Sequence, residues 1–323
     1  MTEINSLLIL PRLRVQAANA VSGPLSWGFP SPTAFTGFAH ALERRLTAEL
    51  PGGFAGVGII CHQFEPQVYR PAGSYTRVFC LTRNPVNKDG ATASLVEEGK
   101  AHLEVTLVIA LADWVPEDDR AWVLASISRV AMSMRLAGGS LLPQRPGPPY
   151  APRLEEWPSA EADRHDAFRS LRRHWLPGFA LTLREDRLAQ GLQRLRETRP
   201  NATALDALLD LSRLNIEPNA EPEPNGSTEW HVRRREGWLV PLPIGYAGLG
   251  ELYAPGEVLN SRDAETPVRF VESLYSIGEW VSPHRVSCLE QLLWHHQADP
   301  EAGIYRCINR YTDYLTDAAE GIA

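Results

Sequence analysis

The chain has 323 residues, 44% hydrophobic and 22% charged, with a net charge of −7. That length supports a substantial core in one elaborated domain or in two to three packed units, and the acidic balance excludes a generally basic nucleic-acid coat. The longest apolar run, 105–115, contains Asp113 and falls short of the ~18 residues of a membrane span, while the first residues carry no basic leader and the four cysteines form no C-x-x-C pair, so a cytoplasmic, non-membrane protein with reduced thiols is expected.

Residues 7–15 read as a strand in which Arg12 and Arg14 alternate with Leu13 and Val15. The loop that follows sets Trp27 and Phe29 among glycines, serines and prolines. Ser31 before Pro32 is a helix start, a capping hydroxyl ahead of proline at the first helical position. Phe35, Phe38, Ala39, Leu42 and Leu46 give that helix one apolar face, and Pro51-Gly52-Gly53 ends it. Strands are predicted over 56–64, 76–82 and 102–111, with a turn from Arg83 to Gly90 and a helix over 117–134 that stops at Gly138 and Gly139. Strand, helix, strand, hairpin, strand, helix and glycine loop is the order of a split βαβ, ferredoxin-like unit, so the class predicted is α+β. Beyond it, 141–157 is proline-rich and irregular, and helices are predicted over 164–175, 184–198 and 204–214, with a strand over 178–183. An acidic, proline-rich loop covers 217–227 and a last helix 285–296. The chain thus divides into a body (1–140, with an insertion at 66–100), a helical elaboration (141–229) and an irregular C-terminal part (230–323) packing on the body.

Thirty arginines stand against two lysines, Lys88 and Lys100. Arginine suits bidentate phosphate contacts and stacking on bases, but GC-rich coding gives the same bias. Between Arg164 and Arg199 nine arginines face four acids, the footprint either of one polyanion-binding face or of a solvated helix surface. Cys288 and His295, with His296 and Cys307 nearby, are spaced too widely for a zinc site, and no metal or cofactor is expected. Ser140 is not in a G-x-S-x-G turn, and neither H-E-x-x-H nor a P-loop occurs. Glu97 and Glu98 are adjacent ahead of a strand and so point to opposite faces. His62 or His102 with an arginine would suffice for a metal-independent ribonuclease; nothing selects either, and no catalytic constellation stands out. Three features suit a polyanion: the helix start at Ser31, the glycine loop behind Arg135, and the turn carrying Arg83, Asn84, Asn87 and Lys88.

The same stretches carry a family likeness. "LLILPRLRVQAANAVSGPLSWGFPSPTAFTGFAHALERRL", "GVGIICHQFE", "LTRNPVNKDG", "VEEGKAHLEVTL", "MRLAGGSLLP", "GWLVPLPIGY", "APGEVLNSRDAETPVRFVESLYSIGEWVSPHRV" and "LLWHH" run in order from Leu7 to His296. They resemble the second Csy subunit of type I-F CRISPR surveillance complexes, a Cas-five-class family. The resemblance implies an RNA-recognition-motif-like body with an inserted thumb hairpin. It also implies a non-catalytic role: pairing with the large Csy subunit, holding the 5′ handle of the guide RNA, and abutting the first backbone subunit, with target DNA touched at most indirectly.

It implies, too, that 66–100 is the thumb, so that Arg77, Arg83, Asn84, Asn87 and Lys88 touch RNA or the backbone subunit. Arg135, Gly138, Gly139 and Ser140 would lie against handle phosphates, and Asn19, Ser22 and Ser31 where a handle nucleotide sits. Trp27 and Phe29 then either stack under unstacked bases or pack into the body and pin the loop. Arg262, Arg269, Trp280, His284 and Arg285 are assigned to fold stability and a subunit contact. Competing readings are a repeat-cutting ribonuclease, as some related Cas-five proteins are, and a scaffold that never touches RNA.

Overall fold

The computed structural model describes residues 3–80, 86, 89–92, 98–219, 228–233, 236–261 and 263–315. Its centre is β3 (Lys100–Leu111), a nearly continuous apolar run buried along almost its whole length, as expected of a strand covered on both faces. Antiparallel neighbours flank it: β1 (Ser6–Asn19) on one side and β2 (Phe54–Pro66) on the other. The first strand outruns its predicted end because two bulges, between Leu10 and Leu13 and between Val15 and Ala18, re-phase it. Arg12 and Ala17 sit at those bulges with positive φ, 47° and 55°. The first bulge aims Arg12 at Glu104 on β3, 2.8 Å away, and Arg145 reaches the other carboxylate oxygen at 2.9 Å.

The helix start at Ser31 is where the sequence puts it. In α1 (Pro32–Arg45) Phe35, Phe38, Ala39 and Leu42 are buried on the sheet against Leu8, Leu10, Ile59 and Leu107. The second crossover, α2 (Glu117–Met132), begins with Glu117, Asp118 and Asp119 in its first turn, which suits the helix dipole. It leads to the hairpin β4 (Arg135–Leu136) and β5 (Gly139–Leu141), and β5 pairs with β1 at Val15 and Gln16. Further along the same edge of β1 lies β6 (Arg153–Glu156).

The rest of the chain extends this sheet rather than forming a separate one. After α3 (Glu161–Arg173) come β7 (Phe179–Leu183), α4 (Glu185–Thr198) and α5 (Ala204–Ser212), then β8 (Leu239–Gly248), β9 (Val271–Val281), β10 (Leu293–Asp299) and β11 (Ile304–Asn309). Among the described residues the sheet has 11 strands in the order β10-β11-β8-β9-β7-β2-β3-β1-β5-β4, with β6 on β1, and β10 also pairs with β2. That last pairing closes β2, β7, β9, β8, β11 and β10 into a ring. Two ribbons stand off the sheet, Val68–Tyr69 with Val78–Phe79 and Ile216–Pro218 with Trp230–Val232. The face opposite α1 buries Ile60, Val108, Trp157, Phe168, Trp175 and Leu289 in a second core.

The helix predicted over 285–296 is not formed. A 3-10 turn, Pro283–Arg285, is followed by turns and then by β10. Leu289, Leu292 and Leu293 are buried in the second core and Trp294 in the first, with Leu293 and Trp294 opposite Gly58 and Val57. An apolar run this short fits helical and extended periods alike, and pairing to a distant strand decides it. The strand predicted over 76–82 is short, Val78–Phe79, and its last two residues lie outside the described ones.

Candidate nucleic-acid interface

Five residues singled out from sequence line one cavity of about 620 Å³: Asn19, Ser22, Ser31, Arg135 and Gly138. They come from two segments more than a hundred residues apart, the loop after β1 and the β4–β5 turn, which the β1–β5 pairing sets side by side. Thr33, Tyr246 and Tyr305 line it as well. The two tyrosines belong to β8 and β11, which pair at that register, and no local motif marks them.

Much of the polar chemistry at this cavity is already engaged within the fold. Ser31 accepts the N–H of Thr33 at 3.1 Å and donates to the carbonyl of Pro243 at 2.8 Å, tying α1 to β8. The backbone N–H of Ser31 goes to Ser22 Oγ, and that of Ala34 to the carbonyl of Ser31. The start of α1 is therefore a closed cap rather than a bare row of donors. Asn19 spans its own turn, donating to Val21 O at 2.8 Å and accepting from Val21 N at 3.1 Å. Arg135 is different. It is exposed, and among the described residues its guanidinium bonds only to Gly138 O, at 3.3 Å, so it keeps donors for a phosphate.

The glycine loop resolves into a two-residue hairpin turn. Ala137 and Gly138 both have positive φ, 50° and 74°, between the pairs Leu136–Gly139 and Arg135–Ser140, as a type I′ turn requires. Gly138 has open space where a side chain would stand. Gly139 faces inward: a Cβ there would come within 2.7 Å of Gln16 O and 2.8 Å of Ala18 N. Ser140 is exposed on β5.

Trp27 and Phe29 part company. Phe29 stacks on Phe35 at 5.4 Å and meets Trp280 edge-on at 4.9 Å, so it packs the loop onto the body. Trp27 is 52% exposed and touches Phe79 of the 68–79 ribbon at 5.3 Å. Arg77 is exposed on that ribbon. Arg83, Asn84, Asn87 and Lys88 lie outside the described residues, as does Arg262.

A family model described as CRISPR-associated protein (Cas_Csy2) matches residues 8–307. CRISPR-associated protein Csy2 of Pseudomonas aeruginosa (strain UCBPP-PA14) is 52% identical over 314 residues, covering 95% of this chain and 96% of that protein. The chain belongs to the Csy2 family. It is thus related to a subunit of the type I-F CRISPR system.

The C-terminal residues of this Csy2-family chain do not form one cluster. Arg269 sits at the β8–β9 hairpin end, donating to Pro300 O at 3.1 Å and filling the space beside Gly248. His284 and Arg285 are exposed beyond the far end of β9, where Arg172 of α3 binds the carbonyl of His284. The 11-residue strand β9 separates the two groups, roughly 35 Å at strand rise. Trp280, near the His284 end, faces Phe29. Cys288 and His295 sit on a turn and a strand rather than one helix, and burial pushes the Cys288 thiol up to about 12. Among the described residues no helix is long and apolar enough to cross a membrane.

His62 has both ring nitrogens in hydrogen bonds, at 2.7 Å to Pro177 O and at 2.7 Å to Thr106 Oγ1. Burial holds its imidazole below the ordinary range, outweighing the Pro177 bond, and burial does the same to His295. The unfolded chain therefore takes up protons first as pH falls. The contribution to stability is full above about 6.5 and is lost as pH drops from there through the lower folded-state values. Melting temperature is expected to fall between pH 7.5 and pH 5, and replacing both histidines with asparagine is expected to flatten that slope. An unchanged slope in the double variant would assign it to other groups.

Proposed function

We propose that this chain is a non-catalytic subunit of the Csy complex that holds the 5′ handle of the guide RNA. In this reading it pairs with the large Csy subunit, abuts the first backbone subunit and meets target DNA at most indirectly. The observation that carries it is the cavity in which the loop after β1 meets the β4–β5 turn, with the Arg135 guanidinium largely free beside it. A single-stranded RNA is held in this way by phosphate contacts and polar groups on a preformed surface. The order β5-β1-β3-β2, antiparallel throughout, with α1 and α2 as the crossovers, supports a body of the ferredoxin-like, RNA-recognition-motif kind. The 68–79 ribbon, with Arg77 exposed, supports a thumb reaching towards RNA or the neighbouring subunit. His62, engaged at both nitrogens, offers no poised base for strand cleavage.

The test is photocrosslinking of handle-labelled guide RNA in the assembled complex, with the Arg135→Ala variant assayed for handle affinity across salt. Crosslinks to 135–140 and 19–31 are expected, and Arg135→Ala should lower the slope of log K against log salt by about 0.7, the share of one single-strand phosphate contact. Absence of any handle crosslink to this chain would make it a scaffold. A discrete metal-independent cut in repeat RNA, lost on substituting His62 or His102, would make it a ribonuclease.

A further inference from the structure

On the other side of the Ser22–Ser31 loop lies a second cavity of about 470 Å³, and Ser22 lines both. Its walls are aromatic: Trp27 and Phe29 from the loop, Phe64 from β2, Phe179 from β7, Trp238 just ahead of β8 and Trp280 from β9. Among the described residues no Asp, Glu, Lys or Arg lines it. Pro241 and Pro243 supply part of its surface and contribute no N–H. His62 also lines it, but both its nitrogens are bonded and burial favours its neutral form, so a phosphate finds no counter-charge there. A flat, neutral, apolar-faced group would find ring surface on several sides.

The rings fall into two kinds. Phe29 has a parallel partner in Phe35, at an interplanar angle of 5°. Trp27 and Trp238, 52% and 56% exposed, have none among the described residues: Trp27 meets Phe79 at 85°, and Trp238 meets Phe179 at 75° and Trp280 at 56°. These edge contacts fix the orientation of both indoles and leave parallel stacking unused. Ser26 and the exposed Gln63 add the hydrogen-bonding groups that the edge of a heterocycle needs. An apolar pocket with a few polar groups is the usual form of a site for a planar ligand.

We propose that this aromatic cleft takes one unstacked nucleobase of the guide's 5′ handle, swung across the Ser22–Ser31 loop from a strand whose phosphates lie in the neighbouring polar cavity. This inference rests on the handle-binding reading above. The shared wall at Ser22 sets the path: backbone on the Arg135 side, base on the indole side.

The experiment uses the assembled complex loaded with guide RNAs in which each handle base in turn is 2-aminopurine, whose emission is quenched by stacking on an aromatic ring. Trp27→Ala and Trp238→Ala are combined, both positions being on the surface, and a melting curve checks the fold. One handle position is expected to be quenched in the unsubstituted complex and to brighten several-fold in the double variant, with handle affinity reduced by about 5- to 150-fold, the span of one base–ring stack. Handle crosslinks to 135–140 should persist. If they persist and no position responds, the cleft holds no base while the handle reading stands. If the unsubstituted complex gives no handle crosslink to this chain, the handle reading fails and the cleft proposal with it. Loss of the large subunit from the RNA-free pair in the double variant would assign the cleft to a protein side chain and overturn the proposal.

Discussion

Replacing Arg184 with methionine is expected to cost about 3–5 kcal/mol, the range for breaking a buried ion pair from one side. Arg184 stands between β7 and α4 with its side chain 7% exposed, and Glu279 on β9 is 4% exposed. Arg184 Nη1 donates to Glu279, while Nε and Nη2 form a fork on Asp186 at 2.9 and 2.8 Å. Asp186 can turn to water, being 29% exposed. Glu279 cannot, so without the guanidinium its charge stays uncompensated inside the sheet. The double variant Arg184→Met, Glu279→Leu removes both charges and is expected to recover most of the loss, because apolar replacement of a buried pair is often close to neutral. Urea midpoints at unchanged m-value report both numbers. A single-variant cost below about 1 kcal/mol, the scale of an exposed pair, would mean that water reaches Glu279. The consequence for the surface is direct: Trp280 follows Glu279 on the same strand, so loosening this pair unseats a wall of the aromatic cleft.

How far the sequence could be read depended on whether a residue's partner was near it in the chain. Ser31-Pro32 and the apolar spacing after it are local signals, and α1 begins where they place it. The β3 run is legible for the same reason, since a strand buried on both faces has little polar patterning to misread. The bulges at Arg12 and Ala17 carry no local mark. They arise because β1 must stay in register with β3 while turning Arg12 towards Glu104. The misread helix at 285–296 has the same origin: Leu289, Leu292 and Leu293 fit helical spacing, and closure of the ring at Gly58 and Val57 overrules it. At the candidate interface the loop after β1 and the β4–β5 turn were visible as short motifs, but Tyr246, Tyr305, Trp238 and Phe179 reach it only through long-range strand pairing. Motif reading also cannot separate a glycine that meets a ligand from one that meets its own backbone.

Gly138 and Gly139 make that last distinction testable. The family resemblance implies that both lie against handle phosphates, yet only Gly138 lines the cavity. Its φ of 74° carries a penalty for any side chain, about 1–2 kcal/mol, although the space around it is open. Gly139 has no such φ, but a methyl group there would press on Gln16 O, Ala18 N and the side chain of Val15 at 2.7–2.8 Å. Two of those atoms are backbone of β1 and cannot rotate away, so the β4–β5 hairpin must lift. Gly139→Ala is therefore expected to destabilise by about 1–3 kcal/mol through overpacking, lowering the melting temperature even without RNA. It should also weaken handle binding, because lifting the hairpin carries Arg135 away from the loop after β1. Gly138→Ala should leave the hairpin seated and handle affinity within about threefold, a change under ~0.7 kcal/mol. A Gly139→Ala protein that melts like the unsubstituted chain and loses only RNA would reverse the assignment and make Gly139 a phosphate contact. Loss of stability without RNA makes it a packing glycine, and the cavity then owes its cation to Arg135.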